Sequence, residues 1–258
     1  MKVVILAGGL GSRLSEETIV KPKPMVEIGG KPIIWHIMKL FERYGYNDFI
    51  ICLGYKGHMI KEYFINYYLY NSDITVELEN NKLEVHYTSS ESFKVTLVDT
   101  GTDTNTAGRI KKIKKYLKDE TFMLTYGDGV SDVNIEELVR FHKSHGKYAT
   151  LTSIQMPGRF GTLQSNETGL VEDFKEKYEG DEVWINGGFF VLEPEIFGYM
   201  DGDMEDVQLE KKPLIEIAKD GQLMAYKYGG FWKCMDAMRD KIELEELWQT
   251  GNAPWKTW

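Results

Sequence analysis

The amino-acid sequence predicts an α/β fold in which a mostly parallel sheet is covered by helices on both faces. Short buried strands alternate with amphipathic helices through the first half of the chain, and strand–helix–strand units of this length connect parallel strands. No internal repeat, low-complexity tract or linker divides the 258 residues. We therefore expect one domain over residues 1–258, with a change to strand-rich sequence after Pro157.

The first half supplies the alternating elements. Residues 2–7 have the pattern of a buried strand, and apolar residues at helical spacing from Ile33 to Tyr44, entered through Pro32, predict the first long helix. The next predicted elements are a strand at 49–53, a helix at 57–69, a hairpin at 73–88 turning at Asn80-Asn81, a strand at 94–98, a helix marked by Ile110, Ile113 and Leu117, a strand at 121–126, a helix at 135–145 and a strand at 149–154.

The second half differs from this rhythm. After Pro157 the sequence predicts strands at 160–164, 170–175 and 184–192. Two helices, near 209–219 and 239–248, then complete the chain. Because no linker separates this strand-rich part from the rest, we expect no second independent domain.

The charge of the chain argues against nucleic acid as a partner. Its formal net charge is −9, whereas proteins that bind nucleic acid present a basic surface. Residues 1–31 depart from this balance, because five basic and three acidic residues give them a net charge of +2. An acidic protein that binds a polyphosphate needs such a local positive region, and we expect it in this segment.

The sequence also indicates the compartment. No apolar run approaches the roughly 18 residues that span a bilayer, so we expect no membrane association. The chain has two cysteines, Cys52 and Cys234, which do not suggest a disulfide framework. Both observations are typical of a cytoplasmic protein.

The first candidate site is the loop that follows the first strand, Leu-Ala-Gly-Gly-Leu-Gly-Ser-Arg at residues 6–13. Closely spaced glycines let backbone N–H groups approach an anion, and Arg13 adds a permanent cation. The spacing is not the dinucleotide fingerprint, which needs a glycine where Leu14 stands, nor a P-loop, which needs Gly-Lys-Ser/Thr. Taken alone, the loop is equally well explained as a tight strand–helix turn.

The second candidate is the proline-rich segment Lys-Pro-Lys-Pro-Met at residues 21–25, followed by Lys-Pro at 31–32. Prolines restrict the backbone, so Lys21 and Lys23 should be held on a stiff, extended segment and point the same way. A stiffly held ammonium can meet developing negative charge without reorganising. A solvated basic loop remains the simpler explanation of this segment by itself.

Two aspartates far apart in sequence are candidate metal ligands. Asp128 ends an apolar strand in Tyr-Gly-Asp-Gly, at the sheet edge where open α/β sheets bind ligands. Its carboxylate is the kind of oxygen ligand that magnesium prefers. Asp236, behind Phe231-Trp232, could complete the same site. Each aspartate could instead cap a turn or a helix.

Polar residues also stand at strand ends in the second half. The sequence reads Phe-Lys-Glu-Lys at 174–177 and Ile-Asn-Gly-Gly-Phe at 185–189. Lysine, glutamate and asparagine in these places could bind a phosphate and sugar hydroxyls. An ordinary strand end is the alternative in each case.

Together these motifs resemble the sugar-nucleotide pyrophosphorylases, and more narrowly the glucose-1-phosphate cytidylyltransferases of bacterial polysaccharide synthesis. The resemblance covers essentially the whole chain. It rests on the order of the blocks GGLGSR, KPKPMVEIGGKPIIWHIMK, GYKG, TYGDG, PGRFG, INGGFFV and GFW with MDAMRDK.

The resemblance implies a role for each matching residue. The base and ribose of a nucleotide would face Leu6, Ala7, Gly8 and Gly9, and its triphosphate would be held by Gly11, Ser12, Arg13 and Lys23. The cytosine end would contact Thr106 and Arg109, with Thr104 beside them. Magnesium would bind Asp128 and Asp236. The sugar phosphate would be held by Glu176, Lys177, Asn186, Gly187 and Asp236.

The resemblance also implies a fold and partners. The family fold is a Rossmann-like, mixed and mostly parallel sheet with a smaller β-rich sugar-binding part. Residues 1–154 would mainly bind the nucleotide, and residues 155–258 would mainly bind the sugar phosphate and supply the C-terminal helices. Mg²⁺ is the implied cofactor, CTP and glucose 1-phosphate are the implied substrates, and a homo-oligomer is the implied assembly.

Two positions depart from the family pattern. Ser12 stands where threonine is usual, a change that keeps the hydroxyl group. Tyr178 follows Lys177 where proline is usual, and this loosens the backbone beside that lysine. The assignment of Lys177 is therefore weaker than the assignment of Ser12.

The implied reaction is direct in-line attack of the sugar phosphate on the α-phosphorus of CTP, which gives CDP-glucose and pyrophosphate early in deoxysugar and O-antigen synthesis. A phosphate nucleophile is already anionic and needs no general base, so positioning and charge neutralisation would supply the catalysis. Three alternatives stay open at this point: the same reaction with UTP, dTTP or another sugar 1-phosphate, a nucleotide-sugar glycosyltransferase, and a nucleotide-sensing regulatory protein.

Overall fold

A computed structural model describes residues 1–88, 91–156, 162–165, 170–175 and 183–258. Its strands, in chain order, are β1 (Val3–Ala7), β2 (Glu27–Ile28), β3 (Lys31–Pro32), β4 (Asp48–Leu53), β5 (Ser72–Glu77), β6 (Lys82–Thr88), β7 (Lys94–Asp99), β8 (Phe122–Tyr126), β9 (Gly129–Ser131), β10 (Ala149–Met156), β11 (Thr162–Ser165), β12 (Val171–Lys175), β13 (Val183–Leu192), β14 (Leu223–Tyr228) and β15 (Trp232–Cys234).

The helices fill the intervals between these strands. The α-helices are α1 (Ser15–Thr18), α2 (Ile33–Glu42), α3 (Gly57–Tyr70), α4 (Thr106–Ile113), α5 (Ile135–His145), α6 (Pro213–Lys219) and α7 (Met238–Gln249). Short 3-10 helices lie at Ser12–Leu14, Lys23–Met25, Lys114–Tyr116 and Pro194–Tyr199.

The central sheet has seven strands in the order β14-β10-β13-β8-β1-β4-β7. Strand β1 lies parallel to both β4 and β8, β4 lies parallel to β7, and β10 lies parallel to β14. Only β13 runs antiparallel, between β10 and β8. The prediction of a mixed, mostly parallel sheet is confirmed. Strands from both halves of the sequence contribute to it.

The two faces of the sheet carry separate apolar clusters. Because successive side chains of a strand point to opposite faces, Val3 and Ile5 of β1 pack with α2, whereas Val4 and Leu6 pack with α4. All four side chains are buried. Helices therefore cover both faces, as the near-continuous apolar pattern of β1 predicts.

Two helix boundaries differ from the prediction. The helix expected near 209–219 begins only at Pro213, which suits a first helical turn. Before it, the Leu209 N–H donates to the Thr106 hydroxyl, so this stretch contacts α4 instead of extending the helix. The helix marked by Leu117 ends at Ile113 and continues as a 3-10 turn. The predicted hairpin at 73–88 is confirmed as β5 and β6.

The C-terminal segment is anchored to α2 through one buried histidine. The His36 Nε2–H donates to the Ile28 carbonyl at 2.8 Å, and its ring makes edge contacts with Trp35 and Trp248. Burial lowers the pKa of His36 to about 4. Trp255 lies against the other ring nitrogen, which explains how the final residues reach the core.

Small strand pairs lie outside the central sheet, and one of them joins two loops at its carboxyl edge. Strands β11 and β12 pair antiparallel, as do β9 and β15. The second pair sets Gly129 opposite Cys234 and so joins the chain after β8 to the chain before α7. Among the described residues, no helix is both long and apolar enough to cross a membrane.

Candidate active site

An open cleft of about 300 Å³ lies at the carboxyl ends of β1 and β8. Open α/β sheets bind ligands at this edge. The residues that line it are Leu6, Ala7, Gly8, Gly9, Gly11, Ser12, Lys23, Pro24, Thr104, Asn105, Thr106, Arg109, Tyr126, Gly127, Asp128 and Asp236. The structure thus brings together most of the residues that the sequence singled out.

The glycine-rich loop is tight because other groups occupy the space where side chains would be. A Cβ atom at Gly8 would lie 2.1 Å from Nη1 of Arg109. Gly11 has φ +65°, a left-handed conformation that glycine adopts readily, and its carbonyl accepts a hydrogen bond from the Thr18 hydroxyl. The loop is therefore both a tight turn and one wall of the cleft.

Arg109 joins the loops that follow three parallel strands. It is only 4% exposed, and its guanidinium donates to the carbonyls of Leu53, Gly8, Gly101 and Thr102 and to the Thr100 hydroxyl at 2.7–3.2 Å. A buried cation needs such partners. Burial lowers the pKa of Arg109 below its ordinary value. The predicted contact of Arg109 with a base stays a prediction, and the structure adds a role in holding this wall together.

Thr104 and Thr106 lie on the same wall. The Thr104 hydroxyl accepts from Lys112 at 3.1 Å. The Thr106 hydroxyl donates to Glu210 at 2.9 Å and accepts from the Leu209 N–H at 2.7 Å. Both threonines are held in place by groups outside the cleft.

Asp128 and Asp236, which are 108 positions apart in the sequence, converge on one ammonium group. Nζ of Lys23 lies 2.7 Å from Oδ2 of Asp128 and 2.9 Å from Oδ1 of Asp236. The pairing of β9 with β15 brings the two loops together, and Met235 N–H donates to the Asp128 carbonyl. Asp240 accepts from the Asp236 N–H at 3.0 Å and so fixes the second loop.

The electrostatics of this cluster follow from its partial burial. Burial would lower the pKa of Lys23, but Asp128 and then Asp236 outweigh it, so that the pKa is raised above its ordinary value. Burial raises the pKa of the neighbouring Cys234 thiol to about 12, and Asp128 contributes further. Lys23 is therefore a firmly charged cation between two carboxylates.

The same cluster fits a divalent metal. Candidate ligand atoms of Asp128, Cys234 and Asp236 all lie within 4.8 Å of one another. The position of the Lys23 ammonium between the two carboxylates shows that they converge on a single cation. Carboxylate oxygens combined with substrate phosphates are a usual environment for Mg²⁺. The two aspartates would hold it, and the thiol is the softer, less suitable donor.

The proline-rich segment is not uniformly extended. Pro22 is extended, but a 3-10 helix begins at Lys23. The expectation that both lysines point the same way is wrong, because the Lys23 ammonium lies between Asp128 and Asp236 in the cleft. Lys21 instead pairs with Glu27 at 3.2 Å, outside the cleft.

The residues predicted for the sugar phosphate lie beside the cleft or outside the described part of the chain. Asn186 donates to the Tyr126 hydroxyl at 3.2 Å, and the Gly187 carbonyl accepts from Trp232 Nε1 at 2.7 Å. Glu176 and Lys177 lie outside the described residues, as does the side chain of Arg13, whose backbone belongs to the 3-10 helix Ser12–Leu14. Their roles stay predictions.

Several lining residues were not predicted. Pro24, Tyr126 and Gly127 stand directly beside predicted residues within motifs that the sequence made visible. Asn105 precedes α4 as its N-terminal cap residue, a position that could have been noticed. Glu210, which binds both Thr106 and Tyr126, gives no local signal, because its role depends on contacts across more than 80 residues.

Known proteins resemble this chain over its full length. A family model described as "Nucleotidyl transferase" matches residues 2–233. The glucose-1-phosphate cytidylyltransferase of Salmonella typhi is 57% identical over 259 residues, which cover 100% of both chains. A probable glucose-1-phosphate cytidylyltransferase of Bacillus subtilis (strain 168) is 45% identical over 258 residues, again covering 100% of both. The structure of HddC from Yersinia pseudotuberculosis superposes with a TM-score of 0.69 at 24% identity, covering 96% of this chain and 99% of that chain.

The geometry predicts unequal roles for the two lysines. Lys23→Ala should lower kcat for nucleotidyl transfer by roughly 10²- to 10³-fold, because it removes a preorganised cation from the cleft. Lys21→Ala should change kcat by less than about two-fold, since a partly exposed ion pair contributes little. Steady-state kinetics on both variants measure the difference. Equal losses would show that the two lysines act as one clamp, contrary to the geometry.

Proposed function

This chain belongs to the nucleotidyl transferase family, and within it to the glucose-1-phosphate cytidylyltransferases. We therefore propose that it transfers the cytidylyl group of CTP to α-D-glucose 1-phosphate. The products are CDP-glucose and pyrophosphate. One observation carries the proposal: Lys23, Asp128 and Asp236 converge in the cleft that the glycine-rich loop lines. Family membership agrees with the resemblance drawn from the sequence motifs.

The chemistry requires positioning and charge neutralisation. An oxygen of the sugar phosphate attacks the α-phosphorus of CTP, and the bond from that phosphorus to the bridging oxygen of the β-phosphate breaks. The nucleophile is already anionic, so no side chain has to remove a proton from it. Backbone N–H groups of the loop and the Lys23 ammonium face the phosphates, and Arg13 is proposed to join them.

Asp128 and Asp236 are the proposed metal ligands. Mg²⁺ bound there would neutralise phosphate charge and help to align the two reacting groups. The loops that carry the two aspartates are fixed by hydrogen bonds to backbone groups, so the aspartates need little movement. The Lys23 ammonium, which lies between them, would move aside to admit the ion. Asp236 can reach the sugar side of the cleft as well, because its loop follows Trp232, which contacts Gly187.

The remaining proposals extend this assignment. Residues 1–154 would mainly bind the nucleotide, and residues 155–258 the sugar phosphate, with Glu176, Lys177, Asn186 and Gly187 as the proposed contacts. Both cysteines are free thiols, which supports the reducing cytoplasm as the proposed compartment. The product CDP-glucose would enter deoxysugar and O-antigen synthesis.

We also propose that the protein assembles as a homo-oligomer. The β5–β6 hairpin pairs with no strand of the central sheet among the described residues. Its tip residue Leu78 is 88% exposed, and Ile65 and Tyr70 of the adjacent helix α3 are each more than 70% exposed. Several large exposed apolar side chains on neighbouring elements support an interface here. Light scattering at working concentration should give a multiple of the 29.8 kDa chain mass, and a monomer mass would contradict the proposal.

The function is tested by a substrate matrix. CTP, UTP, dTTP, ATP and GTP are each combined with glucose, galactose and mannose 1-phosphates, and pyrophosphate release is measured, with Asp128→Asn as the inactive control. We expect kcat/KM for CTP with glucose 1-phosphate to exceed every other pair by at least about ten-fold, the scale that one well-placed contact provides.

Three other results exclude the proposal, the first from the matrix and the other two from separate assays with a nucleotide sugar and of CTP binding. A preference for UTP or dTTP would assign a different nucleotide. Release of free nucleotide from a nucleotide sugar would indicate a glycosyltransferase. CTP binding without turnover would indicate a regulatory protein.

A further inference from the structure

The segment before α6 holds the wall of the cleft opposite the metal ligands. The Asn105 N–H donates to the Glu205 carbonyl at 2.6 Å, and the Ala107 N–H donates to the Val207 carbonyl at 3.1 Å. The first turn of α4, where Thr106 stands, is thereby fixed from outside the cleft. A group on this segment can therefore control what Thr106 presents to a ligand.

Glu210, at the end of this segment, binds two hydroxyl groups of the cleft. One carboxylate oxygen accepts from the Thr106 hydroxyl at 2.9 Å, and the other accepts from the Tyr126 hydroxyl. A carboxylate accepts hydrogen bonds and cannot donate them, so each hydroxyl must be the donor in its hydrogen bond to Glu210. Asn186 in turn donates to the Tyr126 hydroxyl at 3.2 Å.

The hydrogen-bonding state of Thr106 follows from this arrangement. A hydroxyl group has one proton to donate and two lone pairs that accept. Thr106 donates its one hydroxyl proton in the hydrogen bond to Glu210, and one of its lone pairs accepts a hydrogen bond from the Leu209 N–H at 2.7 Å. Thr106 can then offer the cleft one remaining lone pair, which is an acceptor only.

We propose that Glu210 is a positioning residue that sets base specificity by making Thr106 an obligatory hydrogen-bond acceptor. This inference rests on the proposed function and on the contact of Thr106 with the cytosine end that the sequence resemblance implies. Cytosine presents an amino donor at that edge, whereas thymine and uracil present a carbonyl acceptor. A Thr106 hydroxyl that can only accept forms a hydrogen bond with the cytosine amino group, whereas it repels the carbonyl of thymine or uracil. Without Glu210 the hydroxyl rotates freely and serves both bases.

The test compares Glu210→Ala with Glu205→Ala. Glu205 lies on the same segment, but its carboxylate pairs with Lys112 and does not contact Thr106. The measured quantity is the ratio of kcat/KM for CTP to that for UTP, with glucose 1-phosphate as the common second substrate. We expect the ratio to fall at least ten-fold in Glu210→Ala and to stay within two-fold of the unmodified enzyme in Glu205→Ala.

The Thr106→Val variant distinguishes an effect of Glu210 on the Thr106 hydroxyl from a general loss of structure. Valine keeps the shape of threonine but provides no acceptor, so the ratio should fall by a similar factor, and the double variant with Glu210→Ala should fall no further. Thermal unfolding identifies any variant that does not fold, and Thr106→Val decides the question if Glu210→Ala is unstable.

Three results would overturn the inference. The ratio could be unchanged in folded Glu210→Ala, it could be unchanged in Thr106→Val, or the two effects could add in the double variant. None of these affects the proposed function, which fails if the unmodified enzyme does not release pyrophosphate from CTP and glucose 1-phosphate in preference to the other substrate pairs. The two proposals can therefore fail independently.

Discussion

The guanidinium of Arg109 holds together the side of the cleft on which the nucleotide is proposed to bind. Parallel strands bring the ends of β1, β4 and β7 side by side, and their loops direct carbonyl groups into one buried space. Arg109 fills that space and satisfies carbonyls from all three loops. Gly8 and Gly54 make room for it, since a Cβ atom at either would clash with the guanidinium.

The opposite side of the cleft depends on the second half of the chain. Strand β15 pairs with β9 and delivers Asp236 to Asp128, while Asp240 fixes the turn into α7. Lys23 then lies between two carboxylates that belong to distant parts of the sequence. One wall of the cleft is thus built from backbone and hydroxyl groups around the buried Arg109, and the other brings Lys23 together with two carboxylates. A substrate with an uncharged base and a polyphosphate matches this division.

The sequence predicts what depends on local pattern. The alternating strands and helices of the first half, the 73–88 hairpin and the placement of Asp128 after a strand follow from periodicity and turn residues, and the structure confirms them. Strands β14 and β15, which lie between the last two helices, were not predicted. Contacts between distant segments are not visible in this way. The late start of α6 and the role of Glu210 both depend on hydrogen bonds to Thr106, more than 100 residues away. The divergence of Lys21 from Lys23 also depends on distant partners, since Lys23 contacts Asp128 and Asp236.

Hydrogen exchange of Arg109→Lys tests most directly whether this guanidinium organises the wall, with exposed Arg140→Lys as the matched control. Lysine keeps the charge but carries three donors on one atom, so it cannot span the same acceptors. The account predicts faster exchange at residues 8–11 and 100–105 in Arg109→Lys alone, while β1 and β4 keep their protection. Unchanged exchange in both loops would contradict it.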